Sequence, residues 1–171
     1  MNLGRSAGPD YIINEFLVYG KDVLADHVLK LFNKILEHGY FPDSWSEGFI
    51  VPIHKKGSQA DVSNFRGITL LSVVGKLFTR IINTRLTHWA ENYNIYVEAQ
   101  AGFRAKMGTV DNIFVLSNLI KHVLNENKKL YCVFVDFLKA FDYLVRPNIW
   151  YKLFKLGIRG KLFKIIHSMY S

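Results

Sequence analysis

Apolar residues recur at helical spacing from Val23 to His38, at Val23, Leu24, Val28, Leu31, Phe32, Ile35 and Leu36. This predicts an amphipathic helix closed by Gly39 and stopped before Pro42. Gly48 to His54 and Phe65 to Leu71 read as two strands around a polar turn region, Lys55 to Asn64, a candidate hairpin with a basic tip. Ser72 to Asn92 returns to helical spacing, with Leu77, Phe78, Ile81, Ile82, Leu86 and Trp89 inward, leaving Lys76 and Arg80 outside the packed stripe. After a loop holding Gln100 to Arg104, Thr109 can cap a helix to about Asn125, with Ile113, Leu116, Ile120 and Val123 or Leu124 as its core face.

The pattern then changes period. From Leu130 to Asp136 it alternates, Tyr131, Val133 and Val135 on one face and Cys132, Phe134 and Asp136 on the other. Both faces are largely apolar, as in a strand covered by other elements. Pro147 suits a helix start, Gly157 and Gly160 mark a break, and Lys161 to Tyr170 looks helical. The chain stops while still amphipathic, the expectation for a fragment.

Charge changes the picture in the second two-thirds. Met1 to His54 carries four Lys/Arg against seven Asp/Glu, whereas Lys55 to Ser171 carries 18 against seven, a net +11. Such a field attracts polyanions, and Lys and Arg opposite phosphates supply most non-specific nucleic-acid affinity; a merely soluble basic surface is the plain alternative. Half of the residues are hydrophobic, enough for a core and too many for a disordered chain. The single cysteine, Cys132, excludes an internal disulfide or a cysteine-rich zinc site, and fits a reducing compartment or simply a small buried side chain. There is no signal core and no apolar run near the roughly 20 residues a membrane span needs, so a soluble, intracellular protein is expected.

Three stretches carry candidate chemistry. If the hairpin strands pair, Lys55 or Lys56 and Arg66 can converge on one phosphate chain, the Arg as a fork and the Lys as a point charge; a solvated turn is the alternative. Gln100-Ala-Gly-Phe-Arg104 joins an amide, a permissive Gly, an aromatic and a guanidinium, groups suited to stacking and sugar-phosphate contact, though Phe103 also reads as a core anchor and Arg104 as an exposed charge. Asp136 ends an apolar run on a carboxylate that needs a partner, water or metal, and the Phe137 carbonyl adds an oxygen of the kind magnesium prefers. Asp142 is either a further carboxylate or the cap of the next helix.

In this order, the blocks resemble the reverse transcriptases of non-LTR (LINE-type) retrotransposons. Gly8-Pro-Asp10, Asn14-Glu-Phe16, Trp45, Ile50 to Gly57, Asn64 to Leu71, Gly75-Lys-Leu-Phe78, Gln100 to Arg104 and Phe134 to Asp142 carry the likeness over essentially the whole chain. The resemblance implies an α+β fold: helix-rich fingers with a β-hairpin over about residues 1–129, then an incomplete right-hand polymerase palm from about 130 to 171. It implies an RNA-directed DNA polymerase, with RNA template, DNA primer, deoxynucleoside triphosphates and Mg2+ as partners. Carried over by position, Asp136 is the first metal-binding aspartate, Phe137 its carbonyl neighbour and Phe141 the aromatic gate against a ribose 2′-hydroxyl. Lys55, with Lys56 beside it, and Arg66 are the triphosphate clasp, and Gln100, Phe103 and Arg104 the template block.

The chain departs from that pattern at Lys106, where a Gly and a Ser-Thr pair are common nearby, and at Leu138, where a small polar residue is usual. No Asp-Asp pair occurs anywhere in the 171 residues. The fragment is therefore expected to be inactive alone, because paired carboxylates from a further segment complete a two-metal site. Two other readings remain: a non-catalytic nucleic-acid-binding remnant of a decayed retrotransposon, and a truncated product without a stable fold.

Overall fold

A computed structural model describes residues 1–137 and 140–170. Its elements run α1 (Asn14–Tyr19), α2 (Lys21–His38), α3 (Asp43–Ser46), β1 (Gly48–His54), a 3-10 turn (Val62–Asn64), β2 (Phe65–Leu71), α4 (Val73–Asn92), α5 (Thr109–Asn125), α6 (Arg146–Lys155) and α7 (Gly160–Ser168). The result is a mixed helical protein with a small antiparallel sheet. Among the described residues no helix is long and apolar enough to cross a membrane. The chain divides into two compact units, residues 1–84 with those from Pro147 on, and residues 85–146.

The first unit has an aromatic centre. Phe32 of α2, Phe41, Trp45 of α3 and Phe78 of α4 meet with ring centroids 5.1–6.2 Å apart, mostly edge-on, the arrangement ring quadrupoles favour. Phe78 is 1% exposed, and Ile35, Val73, Ile82, Ile165 and Ile166 are also buried. Helix α7 packs on α2, and Ser168 Oγ accepts the Phe41 N–H at 2.9 Å. The predicted α2 stripe is only partly covered: Phe32 and Ile35 are buried, whereas Val23 and Leu31 are exposed. Gly39 closes α2 as expected, in the left-handed region at φ 71° with its N–H on the Ile35 carbonyl.

Two close approaches account for glycines in the sequence blocks. A Cβ on Gly75 would stand 3.0 Å from the Trp45 Cβ, and one on Gly8 would stand 2.4 Å from the Leu71 backbone. Helix α4 begins at a buried Ser72, whose Oγ accepts the Gly75 N–H.

The hairpin forms with the predicted strands. Its register pairs Gly48 with Leu71, Ile53 with Arg66 and His54 with Phe65, and the Lys55 N–H to Asn64 O bond at 2.8 Å carries the ladder one residue further. Alternation along an antiparallel ladder then puts Pro52, opposite Gly67, at a non-hydrogen-bonded position, where its missing N–H removes no ladder bond.

In the second unit two expectations need correction. The Leu130 to Asp136 segment does not form a covered strand: it carries no strand pairing, and Tyr131, Val133, Phe134 and Val135 are each more than three-quarters exposed. Alternation expresses only a preference; a strand exists through ladder bonds, and β1–β2 is the only sheet among the described residues. Likewise the predicted core face of α5 is largely uncovered, with Ile113 and Leu124 exposed. Thr109 is the first residue of that helix rather than its cap, which is Gly108, and the Asp111 carboxylate accepts the Gly108 N–H at 2.7 Å.

Candidate functional site

The hairpin places Lys55 and Arg66 on one face. Residues opposite each other in a ladder share a face, as do residues two apart, so Val51, Ile53 and Lys55 stand with Ile68, Arg66 and Asn64. Lys55 and Arg66 are diagonal neighbours, both exposed, and Lys56 falls out of this register. The tip is held by Asn64, whose Nδ2 donates to Ser58 O at 2.9 Å, by Asp61, whose carboxylate accepts the Ser63 N–H, and by the His54 ring nitrogen 3.1 Å from Gly57 O. Neither cation forms an ion pair among the described residues, so both charges are available to an anion.

In the second unit the Gln100–Arg104 loop is clamped from within. Arg104 Nε and Nη2 donate to the two Glu91 carboxylate oxygens at 3.0 and 2.8 Å, Nη1 reaches Val97 O at 3.3 Å, and the guanidinium lies 5.5 Å from the Tyr96 ring centroid. This is forked recognition of a carboxylate inside the chain. The clamp displaces Arg104 from the role of an exposed charge, and it holds the Glu91 carboxyl below its ordinary value through the hydrogen bond to the guanidinium. Phe103 is not a core anchor: it is 90% exposed, at φ 63° in the left-handed region that a bulky residue seldom adopts. Its ring meets that of Phe141 edge-on with centroids 6.4 Å apart, bringing together two predicted site residues. Gln100 is exposed beside them in sequence.

Glu91 and Tyr96 were not legible as partners, because Glu91 precedes Arg104 by 13 positions on the end of a helix. The Glu91–Arg104 pair has a pH signature. A depressed carboxyl contributes above its ordinary pKa and loses that contribution as the pH falls through the lower folded value. An NMR titration following the Arg104 Nε–H should show no change until the pH is below the ordinary glutamate range, and Glu91→Gln should shift the resonance already at neutral pH. A midpoint at or above the ordinary glutamate value contradicts the clamp.

Asp136, Phe137 and Asp142 are exposed, and Asp136 engages no described residue. Asp142 does not cap a helix, since α6 starts at Arg146. No group of three or more His, Cys, Asp or Glu side chains suited to a metal occurs among the described residues. A carboxylate and a backbone carbonyl next to each other are nevertheless hard oxygen donors, the chemistry magnesium takes. Leu138, noted as a departure, lies outside the described residues.

Residues 53–171 match the profile of the reverse transcriptase (RNA-dependent DNA polymerase) family, and the chain belongs to that family. It is similar to the RNA-directed DNA polymerase from the mobile element jockey of Drosophila melanogaster, 29% identical over 90% of this chain and 17% of that protein. It is also similar to the probable RNA-directed DNA polymerase from transposon X-element of the same species, 32% identical over 92% of this chain and 17% of that protein. A retrovirus-related Pol polyprotein from the type-1 retrotransposable element R2 of Nasonia vitripennis is 30% identical over 84% of this chain and 13% of its own length. These are the non-LTR retrotransposon polymerases that the sequence blocks resemble. The chain spans less than a fifth of the length of these relatives.

Proposed function

We propose that the chain supplies the fingers and the beginning of the palm of an RNA-directed DNA polymerase, which extends a DNA primer on an RNA template. The observation that carries this reading is the shared hairpin face of Lys55 and Arg66, inside the segment that matches the family. A fork and a point charge side by side suit the triphosphate of an incoming deoxynucleotide. Phe141, beside Phe103, is the residue whose ring excludes a ribose 2′-hydroxyl, and Gln100 and Phe103 meet the template. Arg104 acts on the template through the loop that it and Glu91 hold in place. Asp136 and the Phe137 carbonyl are the residues that would hold magnesium, which when bound offsets charge on the phosphates.

A second reading, a non-catalytic nucleic-acid-binding remnant, draws on the +11 charge of residues 55–171 and gives Asp136 no role. On the polymerase reading the chain holds only part of the carboxylate set, so the purified 171 residues should incorporate no labelled deoxynucleotide on a primed RNA. Incorporation that is abolished by Asp136→Ala would overturn the statement that the chain is insufficient by itself.

A further inference from the structure

The stretch from Leu130 to Val135 carries no ladder pairing among the described residues, and no Pro or Gly interrupts it. It holds no charge between Lys129 and Asp136, and Tyr131 to Val135 are exposed on both alternating faces. A segment of that composition, strand-forming and uncharged, is the kind that pairs with another chain. Cys132, near its centre, is a free and exposed thiol.

Charge decides which pairing is favoured. In an antiparallel pair of identical strands the two-fold axis stands perpendicular to the sheet, so each register centres on one residue facing its own copy. Centred on Cys132, the register sets Lys128 opposite Asp136 of the second copy at one end, and Asp136 opposite Lys128 at the other. Between these ends Leu130 faces Phe134 and Tyr131 faces Val133, aromatic and aliphatic pairs that stabilise a ladder. Centred one residue earlier, Asp136 meets Glu126 of the second copy, a repulsion; centred one later, it meets Leu130. Lys128 changes partner at little cost. Its ion pair with Glu126 Oε2 at 2.5 Å is exposed, and the His122 ring stays 3.3 Å from the other Glu126 oxygen.

We infer that two copies of this chain pair antiparallel along Leu130–Val135, in the register centred on Cys132 and bounded at both ends by Lys128–Asp136 ion pairs. A two-stranded ribbon is marginal by itself, so the dimer is weak and populated at high protein concentration. Residues directly opposed in a ladder stand about 4.5–5.5 Å apart between Cα atoms, within the span of a disulfide, so Cys132 can lock the pair. This pairing uses the strand alone and holds whether or not the chain serves a polymerase.

Sedimentation velocity of the full 171-residue chain in reducing buffer, over a concentration series, is expected to show a monomer–dimer equilibrium. Asp136→Lys, which sets like charges opposite each other at both ends, should weaken it by about tenfold or more. Lys128→Asp/Asp136→Lys restores opposite charges and should bring the affinity back to within about threefold of the starting chain. Lys129→Asp/Asp136→Lys should not, because Lys129 belongs to the other face. Diamide, which takes two electrons and two protons from a pair of thiols, should form the disulfide dimer more slowly in Asp136→Lys by about the same factor as the loss of affinity. A chain that stays monomeric across the series, or one whose association ignores Asp136→Lys, overturns the pairing. Failure of Lys128→Asp/Asp136→Lys to restore the dimer overturns the register, and species larger than a dimer overturn the two-fold arrangement.

Discussion

Phe78→Ala is expected to lower the stability of the first unit by about 3–5 kcal/mol, the usual loss for a large aromatic truncated inside a packed core. The site favours the upper part of that range. Phe78 is 1% exposed and its ring meets those of Phe32, Phe41 and Trp45, which belong to α2, α3 and the segment between them. Three rings from separate segments cannot all collapse into the space left by a fourth, so part of the cavity remains. Domains of this size have about 5–15 kcal/mol in all, and the loss would bring the unit close to unfolding at ordinary temperature. Urea unfolding followed by near-ultraviolet circular dichroism reads the change; Phe78→Leu, which keeps most of the volume, should lose less. A Phe78→Ala midpoint equivalent to under 1 kcal/mol would show that the aromatic cluster does not organise this unit.

What the sequence disclosed divides along a physical line. Elements whose partners are near in the chain were legible: α2 with its Gly39 terminus, both hairpin strands, and α4. The hairpin register could not be read beforehand, and it matters, because a slip of one residue would exchange Lys55 for Lys56 on the face of Arg66. The Leu130–Asp136 alternation misled for the opposite reason. It signals a surface ready to pair, and pairing depends on a neighbour that no local pattern specifies. The Glu91–Arg104 fork and the tether of Asn2 and Gly4 to Asn14 and Glu15 are long-range polar contacts, and such contacts leave no periodicity. The family blocks marked Arg104 as a site residue; the structure adds that most of its donors point inward.

The proposal for Asp136 makes the largest expected change in activity. Loss of an aspartate that holds the metal in phosphoryl transfer removes several kcal/mol of charge stabilisation, roughly a thousandfold or more in rate. Lys55 and Arg66 would still bind the triphosphate, so the expected signature is lost synthesis with retained nucleotide and RNA binding. A merely structural role for Asp136 is disfavoured by its exposure and by the lack of any described partner to lose. Substitution should therefore leave the melting transition in place.

The central claim is that this chain contributes a working part of an RNA-directed DNA polymerase, and the direct measurement is primer extension by a chimera. This chain would replace the matching 155 residues of the jockey polymerase, with folding checked by a cooperative melt. The account predicts DNA synthesis on a primed RNA that is lost in Asp136→Ala while RNA binding persists. A folded, RNA-binding chimera that fails to extend the primer, or one that extends it equally well with Asp136→Ala, would contradict it.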